Sequence, residues 1–175
     1  MIRYLCCILF VVAHSVFAAN TVTLKPGFNS LDLNRDGIND SVVVAEFDNN
    51  TSHPNRGLTF FIQTAKGEYF IVPVANSDLF TWFDYRLSAA SDFLIKDVRL
   101  YLLNNLYYLI TAQKNGDDVF NPTRVKFEIY RLTESQDIPG VPRFDWSLTK
   151  KILSQKDYQA ADDAYIELAD MDSFE

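Results

Sequence analysis

Apolar and polar residues alternate with a period of two along much of this chain, the spacing of a half-buried β-strand. The run Arg124-Val125-Lys126-Phe127-Glu128-Ile129-Tyr130-Arg131 shows it most plainly: Val125, Phe127 and Ile129 share one face, and the charges fall largely on the other. Residues 41–48 are rich in valine and end in polar turn formers. Residues 57–64 and 68–74 are β-prone runs around Ala65-Lys66-Gly67, which predicts a hairpin. Residues 97–103 and 106–112 flank Asn104-Asn105. Asparagine tolerates positive φ, so this pair predicts a two-residue hairpin turn. A short acidic helix fits residues 160–171, while 80–90 match neither period. There is no fixed-period repeat and no long linker. The expected architecture is mostly β: a single antiparallel β-sandwich-like domain with little helix.

The first nineteen residues break this pattern. Arg3 is the only charge before the apolar run Tyr4 to Ala13, and small residues follow at Ala18 and Ala19. A short positive start, an apolar middle of about ten residues and a small-residue exit describe a cleaved secretory signal. A membrane anchor needs about 20 apolar residues, and His14 and Ser15 arrive too early for that. Residues 1–19 are therefore expected to be removed, leaving residues 20–175 as one β domain in the periplasm or outside the cell, with no membrane anchor.

Removal changes the chemistry available. Cys6 and Cys7 leave with the signal, so the mature chain forms no disulfide and depends on its core, which about 155 residues can supply. Losing Arg3 leaves 15 basic against 23 acidic side chains, a net charge of about −8. Such a protein has no electrostatic reason to seek nucleic acid. His53 becomes the sole histidine, which excludes the usual two- or three-histidine zinc sites.

The most specific motif is Asp32-Leu33-Asn34-Arg35-Asp36-Gly37-Ile38-Asn39-Asp40. Oxygen side chains stand at positions 1, 3, 5 and 9, glycine at 6, and the Ile38 carbonyl at 7 can complete the set. Calcium takes six to eight hard oxygen ligands, and alternate residues of a tight loop can point them inward. Position 12 is Val43 rather than a bidentate glutamate, so this is not an EF-hand. Two readings stand: a structural Ca²⁺ site made by Asp32, Asn34, Asp36, Ile38 and Asp40, or a polar turn whose Asp and Asn side chains bond their own backbone.

Catalytic candidates are sparse. Ser147-Leu148-Thr149-Lys150 fits the Ser-x-x-Lys nucleophile motif, but that motif works on a helix, and here it follows strand-like Phe144-Asp145-Trp146 without its companion motifs. His53 lies in a polar loop carrying glycosylation sequons at Asn49 and Asn50, and no Gly-x-Ser-x-Gly elbow exists to pair with it. Asp162, Asp163, Asp170 and Asp172 read as a solvated acidic tail. Phe80, Trp82, Phe83 and Tyr85 read first as core, then as an interface; aromatic edge strands would suit a homodimer. The expectation is a protein that is not an enzyme.

Taken together, residues 31–40 leading into Val42-Val43-Val44-Ala45, the stretch 49–62 ending Leu58-Thr59-Phe60-Phe61-Ile62, and Ile95-Lys96-Asp97-Val98-Arg99-Leu100 resemble the carbapenem intrinsic-resistance family typified by CarG. The likeness is scattered between residue 31 and about residue 132, and the last forty residues match none of it. The resemblance implies a periplasmic self-protection protein that gives carbapenem resistance without hydrolysing the drug. It transfers no catalytic residue. The implied partner is a cell-wall target, a partner protein or the carbapenem itself. A calcium-stabilised extracellular binding or adhesion module with no antibiotic role is the competing reading.

Overall fold

The computed structural model describes residues 20–48, 54–86, 93–116, 118–135, 138–169, 171 and 174. The signal segment, the sequons at Asn49 and Asn50, His53, Asp170 and Asp172 lie outside the described residues. In chain order the strands are β1 (Asn20–Thr21), β2 (Gly27–Leu31), β3 (Asp40–Phe47), β4 (Asn55–Gln63), β5 (Tyr69–Val72), β6 (Thr81–Phe83), β7 (Tyr85–Arg86) and β8 (Leu94–Leu103). After them come β9 (Leu106–Lys114), β10 (Thr123–Glu134), β11 (Phe144–Tyr158) and a 3₁₀ helix, η1 (Asp162–Leu168).

All strand pairs are antiparallel and form two sheets. One sheet runs β2-β3-β4-β5, with β6 also on β4; the other runs β1-β8-β9-β10-β11, with β7 also on β8. The β-sandwich expected from the alternation is present. Its turns follow from residue chemistry. Asn104 and Asn105 take φ values of 51° and 62°, which suits the right-handed twist of a two-residue hairpin between β8 and β9. Gly67, at φ 78°, closes the β4–β5 hairpin in the left-handed region that glycine enters without steric cost.

Between the sheets lies one core, built by Val42, Val44, Leu58, Phe60, Ile62 and Trp82 against Val98, Leu100, Leu109 and Trp146. Phe60 and Trp146 meet edge to face at 5.1 Å. A second core covers the other face of the β8–β11 sheet. Val125, Phe127 and Ile129, the residues that made β10 legible, belong to this second core, with Ile110, Ala112 and the C-terminal Ala161, Ala164, Tyr165, Leu168 and Phe174. The β8–β11 sheet is therefore buried on both faces at its centre, which is why β8 has no exposed position even though it carries Lys96, Asp97 and Arg99.

This third layer corrects one expectation. The described residues of this segment, 160–169, 171 and 174, do not form a solvated tail: Leu168 and Phe174 are fully buried, and Tyr165 donates to the Ile110 carbonyl at 3.0 Å. Alternating alanine and aromatic positions bury while Asp163 points outward. A second correction concerns the aromatic cluster. Trp82 is core, but Phe80, Phe83 and Tyr85 are exposed: the alternation in β6 turns Phe83 away from buried Trp82, Tyr85 lies on the short β7 of the opposite sheet, and Phe80 precedes β6.

Candidate functional site

Loop 32–40 joins β2 to β3, and the structure brings all five of its expected ligands into one turn. Gly37 stands at φ 86°, the conformation for which its position requires glycine. Asp32 Oδ2 accepts from the Gly37 N–H at 3.1 Å, and Asp36 Oδ1 accepts from the Ile38 N–H at 2.8 Å. Asn34 accepts from the Asp36 N–H at 3.2 Å and donates its amide to Asp36 Oδ2 at 3.0 Å. Asp40 does different work. Its buried carboxylate accepts from the Leu33 N–H at 2.7 Å and from the Gln63 N–H at 2.9 Å, clamping the loop to the end of β4. Burial pushes the Asp40 carboxyl up, the two N–H bonds pull it back, and Asp36 adds to the rise.

One oxygen is left out of this network. Asp32 Oδ1 is buried without a hydrogen-bond partner. Among the described residues no three His, Cys, Asp or Glu side chains gather as a metal site. A cation here would have to draw on Asn34 and the Ile38 carbonyl beside the aspartates. That all-oxygen set fits a hard ion such as calcium and does not fit zinc.

Beside the loop a cleft of about 500 Å³ opens at one end of the sandwich, where loop 32–40 and the β4–β5 hairpin meet the ends of β9, β10 and β11. Leu33, Leu106, Tyr107, Leu132 and Phe144 give it an apolar floor. Four cations line it, Arg35, Lys66, Arg131 and Arg143, against the acids Asp36, Glu68 and Glu134. Arg143 is fixed in place: both Nε and a terminal nitrogen bond Glu134 Oε1, at 2.9 and 2.8 Å, and the guanidinium lies over the rings of Phe70 and Phe144. Burial first, and then the Asp32 carboxylate, push the Tyr107 phenol up, so it stays a neutral donor. A second cleft, about 330 Å³, holds Arg56, Asp84, Asp97 and Arg99, but its acids are committed internally. Asp84 accepts from the Arg56 N–H at 2.8 Å, and Asp97 binds Arg99 Nε at 2.7 Å.

The catalytic candidates are not assembled into a reactive group. Ser147 lies within β11 and shares a 2.8 Å hydrogen bond with the Thr133 hydroxyl. A register shift brings Leu148 and Lys150 opposite consecutive β10 residues, Tyr130 and Ile129. The helical turn that gives Ser-x-x-Lys its chemistry is absent from this segment. Asp162 faces Arg99 at 3.8 Å and Asp163 points to solvent, so the two do not converge on a common point. Arg35, Lys66, Tyr107 and Arg143 were not foreseen as a group, since three separate connections and the start of β9 bring them together. One signal was available: Arg35 occupies a turn position that asparagine or glycine fills more cheaply.

The family model described as carbapenem resistance protein CarG-like matches residues 24–167. The chain belongs to the CarG-like family. The match takes in loop 32–40, every strand from β2 to β11 and most of η1, well beyond residue 132, where the legible motifs stopped. A crystal structure of CarG is similar to this CarG-like chain at 55% sequence identity and a TM-score of 0.81. The alignment covers 85% of this chain and 94% of that one. No curated protein matches. The CarG-like match marks the protein as related to carbapenem resistance.

Proposed function

We propose that this protein is exported to the periplasm and gives intrinsic carbapenem resistance by binding rather than by hydrolysis. The observation that carries the reading is the family match across nearly the whole described fold, joined to the 55% identity with CarG. The N-terminal segment supports export. The strand setting of Ser147 and its bond to Thr133 support a role without acyl transfer. What is bound is the carbapenem, a cell-wall target or a partner protein, a second copy of the chain included.

Expression of the full chain, signal included, in a carbapenem-susceptible Gram-negative host tests this. The expected result is a raised inhibitory concentration with protein in the periplasmic fraction, while purified protein leaves the drug's ultraviolet absorbance unchanged. Unchanged susceptibility with exported protein, or consumption of the drug, would overturn the reading.

A structural calcium ion is the second part of the proposal, favoured by the buried, unpartnered Asp32 Oδ1. The ion would take Asp32, Asn34, Asp36, Ile38 and Asp40 as ligands and stiffen the loop that forms one wall of the larger cleft.

A further inference from the structure

We propose that the cleft between loop 32–40 and the β10–β11 ends is a binding site for a small amphipathic monocarboxylate carrying an amide, with Arg35 and Lys66 as its anion-binding residues. The inference deepens the binding reading above and rests on it only in assuming that the protein holds a ligand.

Charge is the first argument. The chain carries 23 acidic against 16 basic side chains, yet this cleft gathers four cations against three acids. Of the acids, one is neutralised by a cation and the other two have only neutral partners. Asp36 bonds Asn34 and the Ile38 N–H, Glu134 holds Arg143, and Glu68 faces the Thr64 hydroxyl at 3.5 Å. Arg35 and Lys66, by contrast, make no ion pair among the described residues. Two uncommitted cations stand over an apolar floor, and the three acids limit the ligand to one negative charge.

Backbone conformation is the second argument. Arg35 has φ 66°, in the left-handed region where a side chain with a Cβ costs roughly 1 kcal/mol or more and glycine costs nothing comparable. An arginine there serves neither the turn nor the core, since its side chain is exposed. Its value lies in the guanidinium it presents, which binds carboxylates through paired N–H donors. Lys66, at the tip of the β4–β5 hairpin, faces the same space as a mobile point charge. Tyr107 adds a neutral phenolic donor beside the floor. At about 500 Å³ the cleft falls in the range of small-molecule sites, about 300–1,000 Å³. A carbapenem and a peptide ending in D-alanyl-D-alanine share the required chemistry: one carboxylate close to an acyl amide, on a compact apolar frame.

Titration calorimetry on the purified full domain tests the proposal, with a carbapenem in one arm and N-acetylated D-alanyl-D-alanine tripeptide in the other. Wild type, Arg35→Gly and Lys66→Gln are compared. Arg35→Gly relieves the backbone, so its melting temperature should equal or exceed wild type, and any lost binding is not lost folding. The expected result is saturable binding of one ligand, weakened about tenfold by each substitution and weakened further by salt. Binding of the carbapenem alone names the drug as the source, and binding of the peptide alone names the cell wall. Binding that survives both substitutions places the ligand elsewhere and overturns this cleft while leaving the binding reading intact. No binding of either ligand at 10 mM overturns the cleft proposal, and the susceptibility assay then stands as the separate measure of the family role.

Discussion

Lys114 shows what a single side chain contributes to this fold. Its Nζ, buried at the end of β9, donates to the carbonyls of Val119, Asn121 and Gln159, each at 2.8 Å, and lies 4.8 Å from the Phe93 ring centroid. An ammonium has three donors and all are used, tying the β9–β10 connection to the end of β11. Burial pulls its pKa down while Asp118 pulls it up. Lys114→Met would leave three carbonyls short of a donor, at most about 1–3 kcal/mol each and less at the exposed residues Asn121 and Gln159, where water can take the donor's place. We expect a net loss of about 3 kcal/mol, seen as a lower denaturant midpoint at unchanged slope. Arginine should not rescue it, because a planar fork cannot aim at three separate carbonyls. A wild-type midpoint in the methionine variant would show that water replaces the ammonium. Nothing in the sequence distinguishes this lysine from an ordinary charge at a strand end. The side chains of Asp32, Asn34 and Asp36 were legible because they act on neighbours within a few residues. Those of Lys114 and Asp40 act across 45 and 23 positions.

Among the elements, η1 is tied to β11 by one carboxylate. Glu167 accepts from the backbone N–H groups of Gln155 and Lys156, at 2.6 and 3.1 Å, and from the Tyr158 hydroxyl at 2.8 Å. Burial alone would raise its pKa, but these bonds to the charged form win, and it lies below the ordinary 4.5. The depressed value fixes the sign of the linkage. This stabilisation is fully present above the unfolded value and fades as pH falls through the folded one. We expect acid to expose the second core, read as loss of amide-exchange protection in η1 and the facing residues of β10 below about pH 4.5. Glu167→Gln should cost about 1–2 kcal/mol at neutral pH and flatten that acid limb; an unchanged limb would assign it to other carboxylates. Elements whose alternation is unbroken, such as β3, β4 and β10, were legible in the sequence. β11 was not, although it is the longest strand at 15 residues. Two register irregularities against β10 interrupt its period, and serine, threonine and lysine fill many of its positions. The third layer escaped for a related reason: acidic residues on a short helix read as solvated until a sheet face is known to lie beneath them.

For the molecule as a whole, loop 32–40 is where a calcium ion would be felt. It joins β2 to β3 and walls the larger cleft, and Asp40 already clamps it to β4 without any metal. Folding and ion binding can therefore be separated by substitution. Extracellular calcium modules bind at about 10⁻⁴–10⁻³ M, so 10 mM calcium would add about 1.4–2.7 kcal/mol by mass action. In a domain of this size that raises the melting temperature by about 3–10 °C relative to chelator. Asp36→Ala removes an oxygen whose hydrogen bonds stay within the loop; it should lower stability little in chelator and abolish the calcium increment. Asp40→Ala deprives the buried Leu33 and Gln63 N–H groups of their acceptor. It should cost about 2–3 kcal/mol in chelator and, because Asp40 is one of the proposed ligands, lose the calcium increment as well. Equal melting temperatures in calcium and chelator for wild type would leave Asp32, Asn34 and Asp36 as a self-bonded turn. A calcium increment that persists in Asp36→Ala would place the ion elsewhere. If the increment is real and lost with Asp36, calcium also bears on the cleft, because the same loop carries Arg35. Carboxylate affinity at Arg35 should then rise in calcium in wild type and be indifferent to it in Asp36→Ala.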